Sequence, residues 1–497
     1  MKGKWNMKSW PKYPVIYEIN TFVWLHELCG KYKRSINLGS VPVAEWDYLA
    51  SLGIDAVWFM GVWERSPAGI KIASGNSGLM AEFNKTLPDF QDKDLVGSAY
   101  CVKNYVADAR IGGKVGLARA KQMLAKRGIK LILDFVPNHV APDHPWAAAH
   151  PEYFIRGSEE DLKNAPSSFI KIGGNIIALG RDPYFPAWPD VLQLNAFNAE
   201  LRQAVLDTVS EIAGQCDGVR CDMAMLMLNN IFERTWGASS GTKPSDDYWS
   251  MLIQAVKCKF PGFLFIAEAY WDLEWELQQQ GFDFCYDKKL YDRLEHGNSE
   301  GVRLHLLAEM SYQDKLIRFI ENHDEPRAAS AFSGGQEKMA AVIFSTLPGA
   351  RLFQEGQFEG IKTHVSVFLG RRPPEETNRE LAAFYQKLLA QTDKEVFRNG
   401  NWRSCEIRGC ADDNMHRNLL AWTWRNESMF YLVIVNYGDS NSKGMLRLQQ
   451  EDFCGKTLCL TDVLNGEKYE RSGSEITGSG IYVELKPWSC HFFRVEV

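Results

Sequence analysis

Over roughly its first 390 residues the chain returns again and again to one unit: a short continuous apolar run, a cluster of polar and turn-forming residues, then an amphipathic stretch. Runs too apolar to alternate belong to strands buried on both faces, and strands separated by helices build a parallel sheet. The runs are Val15 to Phe22, Ala56 to Val62, Ile129 to Val136, Gly218 to Ala224, Phe263 to Ala267, Phe282 to Tyr286, Leu316 to Glu321 and Ala341 to Phe353. Eight of them predict an α/β chain closed as a (β/α)8 TIM barrel. Two connecting helices can be read in detail. Leu117, Ala120 and Leu124 recur at helical spacing, with Lys126 and Arg127 at the negative end and Gly128 as the cap. Leu201, Val205, Val209 and Ile212 share a second face that Gly214 can end.

Two regions break the pattern. Between Val140 and Pro189 about fifty residues rich in Pro, Gly, Asn and Asp separate a strand from the next helix, far above ordinary loop length. They predict an inserted lobe after the third strand, over the barrel mouth. After about Phe397 the texture changes to alternating residues and turn signals: Leu419 to Trp424, Met429 to Val435, Met445 to Leu448, Ile481 to Leu485 and Cys490 to Val495. That pattern predicts a C-terminal antiparallel β-sandwich domain. The expected organisation is a catalytic barrel over 1–139 and 190–396, a lobe over 140–189 and a β domain over 397–497.

The 497 residues carry a net charge of only −6 without long runs of one sign, which argues against nucleic acid or an anionic membrane as partner. No stretch approaches the roughly 18 uninterrupted apolar residues of a membrane span. Eleven scattered Cys without CxxC pairs read as free buried thiols of a reducing compartment. No apolar run follows the basic N-terminus before Pro11, so no secretory signal is visible and a cytoplasmic location is expected, with the mature form of a secreted protein as the alternative. No GxxxxGK[ST] or GxGxxG cradle and no paired His ligands are found, so neither a phosphate-handling cofactor nor a catalytic metal is expected.

Acidic residues collect where apolar strands end. Leu131-Ile-Leu-Asp-Phe-Val-Pro-Asn-His runs into Asp134, Asn138 and His139; taken alone, Asp134 reads as a loop or helix-cap residue. In Gly218-Val-Arg-Cys-Asp, alternation puts Arg220 and Asp222 on one face, where a guanidinium can hold a carboxylate ionised as a nucleophile requires, or can simply fasten the barrel. Phe263-Leu-Phe-Ile-Ala-Glu places Glu268 at the end of an apolar strand, where desolvation favours the protonated form a general acid needs. Ile317 to Arg327 delivers Asn322, His323 and Asp324. Carboxylates at four strand ends suit glycosidic bond cleavage, which needs one ionised and one protonated carboxyl, while a third can stabilise a cationic transition state.

These segments resemble the α-amylase family of glycoside hydrolases. The resemblance rests on Asp134-Phe-Val-Pro-Asn-His139, Gly218-Val-Arg-Cys-Asp222, Ala267-Glu268 and Asn322-His-Asp324, in the family's order, and extends to Val15-Ile-Tyr-Glu-Ile-Asn20 and to Tyr100 to Tyr105. It implies Asp222 as nucleophile, Glu268 as acid/base and Asp324 as transition-state stabiliser, in a double displacement with retention. It further implies that Arg220 orients Asp222, that His139, His323 and Tyr100 contact the sugar, and that Asp134 supports the site from beneath.

The departures from the family pattern are specific. Met223-Ala-Met-Leu226 stands where many members have Ala-x-Lys-His, and Asn104 where Asp is usual. Gln193 stands where many amylases have a calcium-binding Asp, so the family's structural calcium is not expected. The sequence leaves three activities open: a retaining α-glycosidase on α-glucans or short α-glucosides, a transglycosylase or sucrose- or trehalose-type glucosyl enzyme on the same site, and a carbohydrate-binding relative without catalysis.

Overall fold

The computed structural model describes residues 9–410, 414–448 and 453–496. Eight strands form a closed barrel: β1 (Val15–Asn20), β2 (Ala56–Met60), β3 (Lys130–Phe135), β4 (Gly218–Cys221), β5 (Leu264–Ala267), β6 (Phe284–Tyr286), β7 (Leu316–Arg318) and β8 (Ala350–Gln354). Each neighbours the next in sequence, and β8 neighbours β1. The register fixes which residues share a face. Gly218 pairs with Ile132 and Arg220 with Asp134 between β4 and β3, while Cys221 pairs with Ala267 between β4 and β5.

The eighth apolar run divides differently from its sequence reading. Gln336–Thr346 is a helix and only Ala350–Gln354 is strand. Ten of its eleven residues are buried, Lys338 alone being partly exposed, so no polar face marks it with a helical period. Pro348 and Gly349, the latter at φ 99°, make the break the sequence does carry. The two helices read from periodicity span Gly113–Ala125 and Ala199–Ala213. Gly128 takes the left-handed conformation at φ 74°; Gly214 caps its helix at φ −66°, in the right-handed region.

By contacts the chain forms two compact units. The first takes in residues 17–286 and contains β2 to β6. Its segment after β3 carries an antiparallel sheet in the order His139–Val140, Trp188–Gln193, Asn175–Gly180, Phe169–Ile172. The second takes in residues 287–362 and 375–497, with β7, β8 and two C-terminal antiparallel sheets of six and three strands. Leu432, Ile434, Leu460 and Phe493 of the larger sheet pack with Leu446, Val483 and Leu485 of the smaller in one apolar core, which makes the pair a sandwich. Within this unit the Trp422 and Trp424 indoles donate to Thr346 Oγ1 at 3.2 Å and Thr346 O at 2.6 Å, tying the sandwich to the helix before β8. The Arg351 guanidinium donates to the carbonyls of Tyr13, Ser345, Thr392 and Phe397. Glu337, only 7 % exposed, is pushed up to about 7 by burial and then by the neighbouring Glu321 charge.

No disulfide joins the eleven cysteines; five are buried, whereas Cys258, Cys410 and Cys454 are exposed. Among the described residues no helix is long and apolar enough to cross a membrane.

Candidate active site

The site begins where β3, β4 and β5 end together. Backbone pairing continues one step past the strands: Asp222 N–H donates to Phe135 O at 2.8 Å, and Glu268 N–H to Cys221 O at 3.1 Å. Asp222 and Glu268 are thus side by side on adjacent parallel strands, roughly 5 Å apart at the backbone. Both are buried, at 5 % and 3 % exposure.

Arg220 joins them. Its Nη1 donates to Asp222 Oδ1 at 2.7 Å, and its Nη2 lies 3.0 Å from Glu268 Oε1. The rigid guanidinium fork therefore keeps the two contacted carboxylate oxygens within about 8 Å of each other. Rings wall in the cation, with Tyr100, Trp58 and Tyr286 centred 5.2, 5.4 and 5.6 Å from its central carbon. Nε donates to Tyr286 Oη at 3.3 Å. Burial works against the charge, but the Glu268 carboxylate, then the Tyr100, Tyr286 and Asp222 oxygens, hold Arg220 well above its ordinary range.

Glu268 has two further donors. Tyr270 Oη donates to Oε1 at 2.9 Å, and the Met223 N–H to Oε2 at 2.5 Å. The second bond depends on Met223 adopting φ 42°, a left-handed conformation that a long side chain takes only under constraint. Trp271 and Asp272, three and four residues after Glu268, are also left-handed, at φ 62° and 66°. This bend sets the Trp271 ring 4.8 Å from that of Tyr184.

Asp134 is fully enclosed. Its Oδ1 accepts from the Trp58 indole at 3.1 Å and its Oδ2 from the Gly61 N–H at 2.7 Å. Gly61 is required there: φ is 75°, and a Cβ would lie 2.3 Å from Arg65 Nη2. His139 is buried against Trp188, ring centres 5.3 Å apart. Burial pushes its imidazole down to about 4, so the ring is neutral near pH 7 and can both donate and accept.

Of the residues singled out in the sequence, Arg220, Asp222, Glu268, Tyr100, Asp134 and His139 lie in the first unit. Of these, the structure brings Asp222, Glu268 and Tyr100 around Arg220 and sets Asp134 on the neighbouring strand. His323 and Asp324 lie in the second unit, on the loop after β7. There His323 Nε2 is 3.0 Å from Asp324 Oδ2, and the Asp324 side chain is 41 % exposed. Asn322 Oδ1 accepts from the Asp324 and Glu325 N–H groups at 2.9 Å each, which shapes the turn. Sequence reasoning missed Tyr286, Trp58, Tyr270 and the Met223 N–H. An aromatic at the end of an apolar run was a usable signal for Tyr286; a backbone N–H carries none.

Among the described residues no three His, Cys, Asp or Glu side chains gather as a metal site. Gln193 points its amide nitrogen at the oxygens of Asn138, 2.9 Å from Oδ1.

A model of the α-amylase catalytic domain matches residues 43–443. The chain is 22 % identical over 451 residues to the α-amylase MalA of Haloarcula japonica, covering 86 % of this chain and 56 % of that one. It is 20 % identical over 466 residues to an α-1,4-glucan:maltose-1-phosphate maltosyltransferase of Picrophilus torridus, covering 89 % and 66 %. The chain thus spans between about half and two thirds of the length of these relatives. Among solved structures, the maltogenic α-amylase AmyB of Thermotoga neapolitana superposes with a TM-score of 0.71 at 19 % identity, covering 98 % of this chain and 99 % of that one, a likeness of fold. Matched to the catalytic-domain model over most of its length, the chain belongs to the α-amylase family.

Proposed function

We propose that the chain is a retaining α-glycosidase acting on α-glucans or α-glucosidic oligosaccharides, with Asp222 as nucleophile, Glu268 as acid/base and Asp324 as stabiliser of the cationic transition state. The observation that carries this reading is the single guanidinium of Arg220 in contact with both Asp222 and Glu268. A retaining pair must flank one glycosidic bond at close range. In the first step Asp222 attacks the anomeric carbon, the bond to the leaving oxygen breaks, and Glu268 gives that oxygen its proton. In the second step Glu268 takes a proton from water as the water oxygen displaces Asp222. His139, His323 and Tyr100 contact the sugar in this scheme, Asp134 supports the site, and residues 140–189 form a lobe over the barrel mouth, with 397–497 as a C-terminal β domain.

A second reading, transfer to a sugar hydroxyl in place of water, is favoured by the exposed Tyr184 and its partner Trp271. The proton of Glu268 goes to the leaving sugar, so Trp271, three residues after it, and the Tyr184 ring packed against it suit a sugar acceptor. The relatives point both ways, since they include a maltosyltransferase and a trehalose synthase/amylase of Mycobacterium tuberculosis.

The test uses two variants and two substrates. Glu268→Gln should slow cleavage of maltooligosaccharides far more than that of aryl α-glycosides whose leaving groups depart unaided, whereas Asp222→Asn should suppress both. Equal loss on both substrates in folded Glu268→Gln, with the first step still rate-limiting, removes Glu268 from the acid role. Product chromatography then separates hydrolysis from transfer.

A further inference from the structure

Gln193 is completely buried at the end of the strand Trp188–Gln193, opposite His139 in an antiparallel pair. Its amide nitrogen lies 3.0 Å from Asn138 O, 2.9 Å from Asn138 Oδ1 and 3.0 Å from Leu194 O. Its own oxygen accepts from Asn138 Nδ2 at 3.3 Å and from the Arg181 N–H at 3.4 Å, which fixes the orientation of the amide. Three oxygens thus converge on one nitrogen that has two hydrogens to give. Backbone and amide carbonyl oxygens gathered around a single point are the ligand type of a hard cation, held at about 2.3–2.6 Å. All three are neutral. A full positive charge here would be stripped of water with no carboxylate among these three oxygens to offset it, whereas the partial charges of an NH2 group match three neutral acceptors.

We propose that the Gln193 amide is a built-in replacement for a structural cation, fastening the segment after β3 to the antiparallel sheet that follows, and that the family's calcium is dispensable here for that reason. The same geometry makes the cage a latent cation site. Gln193→Asp shortens the side chain by one methylene, withdraws its head group from the centre of the three oxygens and supplies the missing negative charge. A calcium ion then fits where the amide nitrogen stood, with the oxygens closing by a few tenths of an ångström. Magnesium, which demands tighter octahedral geometry and keeps its water, should not substitute.

The experiment is a set of thermal melts by circular dichroism on the full chain, in chelator, in millimolar calcium and in millimolar magnesium. Wild type should melt at one temperature in all three. Gln193→Asp should be destabilised in chelator and recover by at least about 5 °C in calcium only. Gln193→Leu should be destabilised throughout without responding to either ion, and terbium luminescence should report binding in the Asp variant alone. A chelator-induced drop in the wild-type melt overturns the replacement, whatever the variants do. A folded Gln193→Asp protein that ignores calcium overturns the cage.

Discussion

Removing the Arg220 guanidinium tests the arrangement at its centre. In Arg220→Ala, Asp222 and Glu268 keep their strand positions but lose the cation that touches both, at 2.7 and 3.0 Å. Each contact to a charged group is worth about 1.5–3 kcal/mol, and breaking a buried ion pair by deleting one partner costs about 3–5 kcal/mol. At about 1.4 kcal/mol per decade, kcat/KM should fall by roughly a hundredfold to ten-thousandfold. The assay is release of a chromophore from an aryl α-glycoside, with a thermal melt alongside to separate lost organisation from lost fold. Millimolar guanidinium should restore part of the activity, because the space left between the three rings accepts the same planar ion. Arg220→Lys should recover less, since one ammonium cannot reach two carboxylates as a fork does. A folded Arg220→Ala protein within tenfold of wild type would refute the reasoning. Full activity in Arg220→Lys would refute the fork.

Two further outcomes follow from single groups. Tyr270→Phe removes one donor from Glu268 and should lower kcat/KM on maltooligosaccharides by about fivefold to thirtyfold, less on aryl glycosides with good leaving groups; equal loss on both would detach Tyr270 from the proton-transfer step. Glu337 titrates near 7 in the fold against 4.5 as a free side chain, so its contribution is intact below pH 4.5 and is lost as pH rises through 7, by about 3 kcal/mol. The non-ionising Glu337→Gln protein should melt close to wild type at pH 5 and several degrees above it at pH 8.5, and a gap that ignores pH would show that Glu337 ionises normally.

What the sequence made legible was whatever repeats locally. The eight apolar runs marked the barrel because strands buried on both faces have no polar register to obscure them. The ends of those runs located Asp134, Asp222 and Glu268, since a carboxylate after an apolar strand is conspicuous. Where a helix is buried at all but one position, as at Gln336–Thr346, the period vanishes and it reads as strand. The contact of Arg220 with Glu268 was out of reach for another reason: it depends on the register between β4 and β5, which no single segment encodes. Met223 illustrates the same limit, because its left-handed turn brings its N–H to a carboxylate on the next strand, 45 residues away in sequence. Gln193 was legible as the wrong residue for calcium, but not as a group that fills the place itself.

Closure of the barrel has a consequence for synthesis on the ribosome. β1 neighbours β8, and the Arg351 N–H donates to Pro14 O while the Arg351 side chain collects carbonyls as far along as Phe397. At elongation rates of about 5–20 residues per second, β1 waits roughly 17 to 67 seconds after its own translation before its last partner exists. Throughout that interval Val15-Ile-Tyr-Glu-Ile-Asn20 offers an unpaired, apolar edge to any other nascent chain. Yield of this protein should therefore depend on holdase chaperones early in translation, and slowing the ribosome should worsen aggregation.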